Sequence, residues 1–162
     1  MILEVKVKYF NTEMPKINKI DKGDWIDLRI DNIEQNGNLR PWQKDDEDHE
    51  FLYVTPNSFI KVKLGVAMQL PNGFEAHVAP RSSVFKNFKM ILTNSVGIID
   101  ESYCGDNDEW IAPMYCFEGV KLYRYERICQ FRLIEKMEKI LITEVEKLNN
   151  KDRGGFGSTG TK

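Results

Sequence analysis

The chain has 162 residues, 41% of them hydrophobic, with Phe 9 and Trp 3, enough for one domain that buries roughly two-thirds of the surface its unfolded chain exposes. Lys+Arg 23 against Asp+Glu 25 leaves a net charge of -2, so there is no basic surplus for a nucleic-acid backbone or an anionic membrane, and neither partner is expected. No apolar run approaches the ~20 residues of a spanning helix, and Glu4 and Lys6 interrupt the start where a signal peptide needs an apolar core, which predicts a cytoplasmic protein. Cys104, Cys116 and Cys129 fit neither a disulfide framework nor close-spaced zinc ligands and read as reduced, partly buried thiols.

Apolar and charged residues alternate from Leu3 to Tyr9, a period of two that predicts a strand with one face on a core. Ile26 to Ile30 and Ile60 to Leu64 repeat the pattern, the latter leading into Val66-Ala67-Met68. Between them, residues 32–56 turn polar, with Asn36-Gly37-Asn38 and the acidic run Asp45-Asp46-Glu47-Asp48. This stretch predicts a solvated loop or extended hairpin decorating the fold. Pro71-Asn72-Gly73 predicts the turn of a hairpin whose second strand runs from Phe74 to Ala79. Ser82 or Ser83 would cap a short helix ending near Phe88. Short β-like segments follow at Ile91 to Asn94, Val96 to Ile99, Trp110 to Phe117 and Arg127 to Ile134. Ile134, Met137, Leu141, Val145 and Leu148 have helical spacing, but the β-branched stretch from Ile140 to Thr143 favours further strands.

Many short strands with little helix predict an all-β, jelly-roll-like β-sandwich or barrel over residues 1–150. Residues 151–162, holding four of the Gly 11 in the chain, predict a mobile C-terminal tail.

Three clusters carry chemistry. Arg81, Ser82 and Ser83 at a possible helix start offer a guanidinium fork and hydroxyls suited to phosphate oxygens. Asp100, after the apolar strand Val96 to Ile99, either closes that strand in a turn or acts as a general base toward water. The tail, Arg153 to Gly160, combines Arg, Ser, Thr and exposed backbone N–H groups around Phe156. Its glycines match G-x-G-x-x-G, but a dinucleotide fingerprint or P-loop needs a following helix, and none fits before Lys162. His49 and His77 have no partners of catalytic spacing, and no G-x-S-x-G elbow is present.

In this order and spacing the clusters resemble the trimeric dUTP diphosphatases (dUTPases), whose five short motifs span the chain. Gly23-Asp24-Trp25-Ile26-Asp27-Leu28 resembles the first and Pro80-Arg81-Ser82-Ser83 the second. The third matches the run from Asn94 to Tyr103, the fourth Arg127-Ile128-Cys129-Gln130-Phe131, and the fifth the run from Arg153 to Gly160. The likeness is closest to a subgroup from Gram-positive bacteria and their phages. Ser83, Cys104 and Asp106 depart from the family's common Gly, Arg and Glu.

The resemblance implies a homotrimer that hydrolyses dUTP to dUMP and pyrophosphate with Mg²⁺ on the triphosphate. It places Asp100 as the base toward water and Asp27 on the metal, through water. Arg81, Ser82, Ser83, Gln130, Arg153, Ser158 and Thr159 would bind phosphate. Asn94 and the backbone of Gly97, Ile98 and Ile99 would hold uracil on a hairpin, Tyr103 would pack under the deoxyribose, and Phe156 would stack over the base, with Trp110 as the alternative stacking aromatic. Two other readings remain: a dCTP deaminase-like enzyme of the same superfamily, and a dUTP-sensing regulator contacting a protein partner through residues 32–56.

Overall fold

The structure, a computed structural model, describes residues 2–155, 157 and 160. Alternation drives its strands. Along Ser58–Lys63 the side chains of Ser58, Ile60 and Val62 are buried while Phe59 and Lys61 face out, so one face of the strand enters the core. The elements run β1 (Lys6–Tyr9), β2 (Ile26–Arg29), β3 (Asn32–Gln35), β4 (Asn38–Leu39), β5 (Gln43–Lys44), β6 (Glu50–Val54), β7 (Ser58–Lys63), β8 (Val66–Gln69) and β9 (Phe74–Pro80). They continue through α1 (Val84–Phe88), β10 (Met90–Leu92), β11 (Gly97–Ile99), β12 (Ile111–Cys116), β13 (Val120–Tyr123) and β14 (Arg127–Glu135).

A five-stranded sheet in the order β10-β12-β7-β3-β4 and a four-stranded sheet in the order β11-β9-β14-β2 supply most of the core, and β1-β8 and β13-β6-β5 extend it. Leu28, Ile60, Val62, Met68, Met114 and Phe131 are among the side chains that fill the interior. The all-β expectation holds. Among the described residues no helix is long and apolar enough to cross a membrane.

Four local expectations are corrected. Residues 32–56 are not decoration: β3 pairs with β7, β6 pairs with β13, and Ile33, Leu52 and Val54 are core residues. Asn36 (φ 53) and Gly37 (φ 80) make the tight left-handed turn between β3 and β4. The Pro71-Asn72-Gly73 turn joins no hairpin, because β8 pairs with β1 whereas β9 pairs with β11 and β14; it is a corner between sheets. The run from Asn94 to Tyr103 is likewise a corner, since β10 pairs with β12 and β11 with β9. Finally, residues 136–150 form neither strand nor helix, but an arm on which Met137, Ile140, Leu141, Ile142, Val145 and Leu148 stay exposed. Their alternation and their helical spacing both need a covering surface, and the described residues supply none to them.

The short helix forms as expected, but Ser83 at its N-cap makes no side-chain capping bond; Lys89, in the left-handed region, closes the C-terminal end on the Phe85 carbonyl. Gly65 between β7 and β8 has φ +68, and a Cβ there would meet Asp31 Cβ at 2.7 Å. Gly65→Ala is therefore expected to lower stability by about 2 kcal/mol or more, read as a fall in thermal midpoint; an unchanged midpoint would show that the Asp31 contact yields freely.

Candidate active site

The central strand β14 gathers the first cluster. Gln130 lies opposite Asp27 of β2 on one side and opposite Ala79 of β9 on the other. Arg81 follows directly on the end of β9, so strand register alone brings Asp27, Arg81, Arg127 and Gln130 to one edge of the sheet. Asp27 Oδ1 accepts from Arg81 Nε at 2.9 Å and its Oδ2 from Arg127 Nη1 at 3.1 Å. Gln130 Nε2 donates to the Pro80 carbonyl at 3.3 Å.

Beside this latch opens a cavity of about 420 Å³ whose lining includes Arg29, Arg81, Arg124, Arg127 and Ser83, with Glu126 as the one acidic side chain among the lining residues. Its positive charge is crowded: burial first, then the neighbouring Arg127, hold the Arg29 guanidinium below its ordinary pKa. Such a wall favours an anion with several negative oxygens. Ser83, free of capping duty, turns its residue toward this cavity. Ser82 is exposed beside it.

Arg29 and Arg127 carried no role in the sequence reading. The signal for Arg29 was present in Ile26-Asp27-Leu28-Arg29, where alternation puts Asp27 and Arg29 on one face. Arg127 required the pairing Arg127↔Arg29, which only the fold supplies.

The second cluster lies beyond β11. Gly97 pairs with Val78, and a Cβ on it would meet Val78 Cβ at 3.2 Å, so the close approach of β11 to β9 favours glycine. Ser95 at φ 62 and the Val96 N–H to Asn94 carbonyl bond of 2.6 Å fold the corner before it. Ile98 faces solvent and Ile99 is half-buried. Asp100 is exposed and opens a turn closed by the Tyr103 N–H on its carbonyl at 3.0 Å. Its Oδ1 accepts from the Ser102 N–H at 2.8 Å and the Ser102 hydroxyl at 2.7 Å. These bonds, with the more distant Lys136 charge, hold the Asp100 carboxyl below the usual aspartate range. Tyr103 Oη donates to the Glu109 carbonyl at 3.1 Å. Lys8 Nζ donates to the Asp106 carbonyl at 2.7 Å, tying down the loop that holds Cys104.

The two clusters do not meet within the chain. Ile99 pairs with Ala76, which puts Asp100 opposite the start of β9 while Arg81 follows its end, a separation of about 20 Å along the strand. Arg153 is exposed in a segment without regular structure. The expected sites Phe156, Ser158 and Thr159 lie outside the described residues.

Trp110 is corrected: it is fully buried and packs edge-on against Phe131 with centroids 5.2 Å apart, so it is a core residue and cannot stack on a ligand. His49 lies near Asp45 and Glu47, and His77 Nε2 lies 2.6 Å from Glu75 Oε1; neither joins a cluster. The three cysteines are free, and burial pushes the Cys129 thiol up to about 12, which makes it inert.

A nearly all-β fold with an arginine-lined pocket and a separately mounted carboxylate has the chemistry of a protein suited to phosphorylated ligands. A family model described as dUTPase matches residues 49–160. The SPbeta prophage-derived deoxyuridine 5'-triphosphate nucleotidohydrolase YosS of Bacillus subtilis (strain 168) is 47% identical over 160 residues, covering 99% of this chain and 100% of that protein. The deoxyuridine 5'-triphosphate nucleotidohydrolase of Neorickettsia sennetsu is 36% identical over 111 residues, 67% of this chain and 73% of that one. Among solved structures, a Staphylococcus bacteriophage 80alpha dUTPase with dUpNHpp shares the fold at TM-score 0.70 and 14% identity, covering 98% of this chain and 99% of that one. The Streptococcus mutans dUTPase does so at TM-score 0.61 and 19% identity, covering 85% and 98%. The chain belongs to the dUTPase family of nucleotidohydrolases.

Proposed function

We propose that the chain hydrolyses dUTP to dUMP and pyrophosphate, as a cytoplasmic homotrimer that keeps uracil out of DNA and supplies dUMP for thymidylate synthesis. The observation that carries this reading is the Asp100 carboxylate, ionised at neutral pH and fixed by Ser102, at the opposite end of β9 from the arginine pocket. Asp100 takes a proton from water as the water attacks the α-phosphorus. Arg81, Ser82, Ser83 and Gln130 hold the phosphates and take up the charge that develops on the departing pyrophosphate. Arg153, Ser158 and Thr159 join them from the tail, residues 151–162, which closes over the site with Phe156 on the uracil. Asn94 and the backbone of residues 97–99 pair with the uracil edge, where cytosine would leave buried donors and acceptors mismatched. Tyr103 packs beneath the deoxyribose and excludes a 2′-hydroxyl.

Among the described residues no group of three His, Cys, Asp or Glu side chains is assembled for a metal. Asp27 is a lone carboxylate already paired with two arginines. That donor set suits Mg²⁺ carried mainly on phosphate oxygens, with Asp27 reaching it through water, rather than a protein cage. When bound, Mg²⁺ neutralises triphosphate charge and holds its conformation.

The trimer is supported by two features. The base and the phosphate pocket of one chain are too far apart to serve one nucleotide, and the apolar side chains of residues 136–150 need a surface to cover them. Mixing Asp100→Asn protein with protein truncated before Lys151, after reversible dissociation, is expected to recover about one quarter of wild-type activity. Each shared site then draws its base and its tail from suitable chains, each by an even chance, under three-fold symmetry. No recovery would mean that each chain supplies both.

The deaminase alternative needs a carboxylic acid on the strand after the Asp100 turn, and β12 carries none. Glu109, just before it, is committed to Lys63 at 2.7 Å and to the Gly65 N–H at 3.2 Å. The regulator alternative cannot be tested by deleting residues 32–56, since that would remove core strands. Pyrophosphate release measured with dUTP, dCTP, dTTP and UTP, with and without Mg²⁺, tests the proposal. Release from dUTP is expected to exceed that from dCTP by ~10⁴, and ammonia from dCTP or inertness toward dUTP would overturn it.

A further inference from the structure

We propose that Glu101 and Lys136 form a positioning pair for the hydrolytic base, locking the turn that carries Asp100 to the root of the C-terminal arm. The inference rests on the reading of Asp100 as that base. Asp100 stands on an exposed turn after a strand of three residues, and the sheet alone grips such a turn weakly. Ser102 fixes the carboxylate from within the turn. Glu101 fixes the turn from outside. Its Oε2 accepts from Lys136 Nζ at 2.8 Å and from the Gly73 N–H at 3.4 Å, while the Lys136 N–H donates to the Gly73 carbonyl at 2.9 Å. Three elements close into a triangle: the Asp100 turn, the corner between β8 and β9, and the chain just past β14.

As a contribution to stability the pair is small, because the Lys136 and Glu101 side chains are 42% and 27% exposed. Its effect on position is larger. A carboxylate displaced by ~1 Å from its water can lose about a hundredfold in rate, and the triangle restrains the turn at Glu101 as the Tyr103 bond to the Glu109 carbonyl restrains it further along. Lys136 is also where the arm departs, so the same pair joins the base to the segment leading to the tail. The charged groups facing this junction are Asp100 and Glu101 on the turn, Lys136 beyond β14 and Glu75 on β9, and the Lys136 charge favours ionised Asp100.

The test measures kcat, KM, thermal midpoint and the pH profile of kcat for full-length Lys136→Met, Glu101→Gln, the double variant and Lys136→Arg, with Asp100→Asn in parallel. Each single variant is expected to lose roughly tenfold in kcat with KM changed by less than about twofold, at a midpoint near wild type. The acid limb moves to higher pH in Lys136→Met, Lys136→Arg recovers most of the turnover, and the double variant is no slower than the slower single one. Wild-type kcat with an unmoved acid limb, or a double variant slowed by the product of the single effects, overturns the pair. If Asp100→Asn itself keeps its turnover, the reading of the base fails; if it is inactive while the pair variants are normal, only the pair fails.

Discussion

Replacing Asp100 by Asn is expected to lower turnover of dUTP by about two to four orders of magnitude, with KM close to wild type and the fold intact. The amide keeps the size of the side chain and still accepts from Ser102 through its oxygen, so the turn survives. What it loses is basicity. The carboxylate is exposed on a turn; the two hydrogen bonds from Ser102 come first and favour the ionised form, slight desolvation opposes them, and the more distant Lys136 charge adds the smallest favourable contribution. The sign for pH follows. A carboxyl whose folded pKa lies below the ordinary 3.8 stays deprotonated until the pH falls below that value, so the base remains available throughout the neutral and mildly acid range. The acid limb of kcat should therefore lie below the limb an unassisted aspartate would give. Steady-state kinetics from neutral pH downward check both statements. A variant within a few-fold of wild-type turnover would remove Asp100 from the chemistry.

The place of Asp100 at the end of a strand was legible because its context is local: Gly97, the apolar pair Ile98-Ile99, then an acid. The partners of Asp27 were not, because Arg81 and Arg127 are far from it in sequence and meet it only through the registers of β2, β9 and β14. The same distinction separates the correct strands from the misread corners. Alternation in β7 reports which side chains enter the core, since that depends on the pleat alone. Pro71-Asn72-Gly73 and Asn94-Ser95 report that the chain reverses, but not whether the next strand pairs with the last or crosses to another sheet. Residues 136–150 misled for a further reason: an apolar pattern states what must be covered, and the described residues provide no covering surface. Trp110 was open to a binding role only while its burial was unknown. In residues 32–56 the polar composition masked the alternation of Phe51, Leu52, Tyr53 and Val54, whose Leu52 and Val54 enter the core.

Arg124→Met is expected to cost about 3–5 kcal/mol of stability, seen as a thermal midpoint lower by roughly 10 °C or more for a chain of this size. The Arg124 Nε donates to the Asp31 carbonyl at 3.0 Å and its Nη2 to Asp31 Oδ1 at 3.1 Å, while Nη1 bridges Glu50 Oε1 and Oε2 at 3.2 and 3.1 Å. The guanidinium also lies over Tyr125 at 5.1 Å and Trp42 at 5.9 Å. Asp31 is only 2% exposed, so removing its cation strands a charge with little more than Asn11 and Asn32 to solvate it, each at 3.4 Å. Glu50 is more exposed and contributes less. Methionine fills similar space, so the loss measured is chiefly that of the stranded aspartate rather than of a cavity. Asp31→Leu on top of Arg124→Met removes the stranded charge and should recover part of the loss. Because Arg124 fastens β6 to the loop after β2, it ties the once-suspected insertion to the body that carries Asp27. A midpoint within about 2 °C of wild type in the single variant would show that water reaches Asp31 readily and that this junction does not hold the strands together.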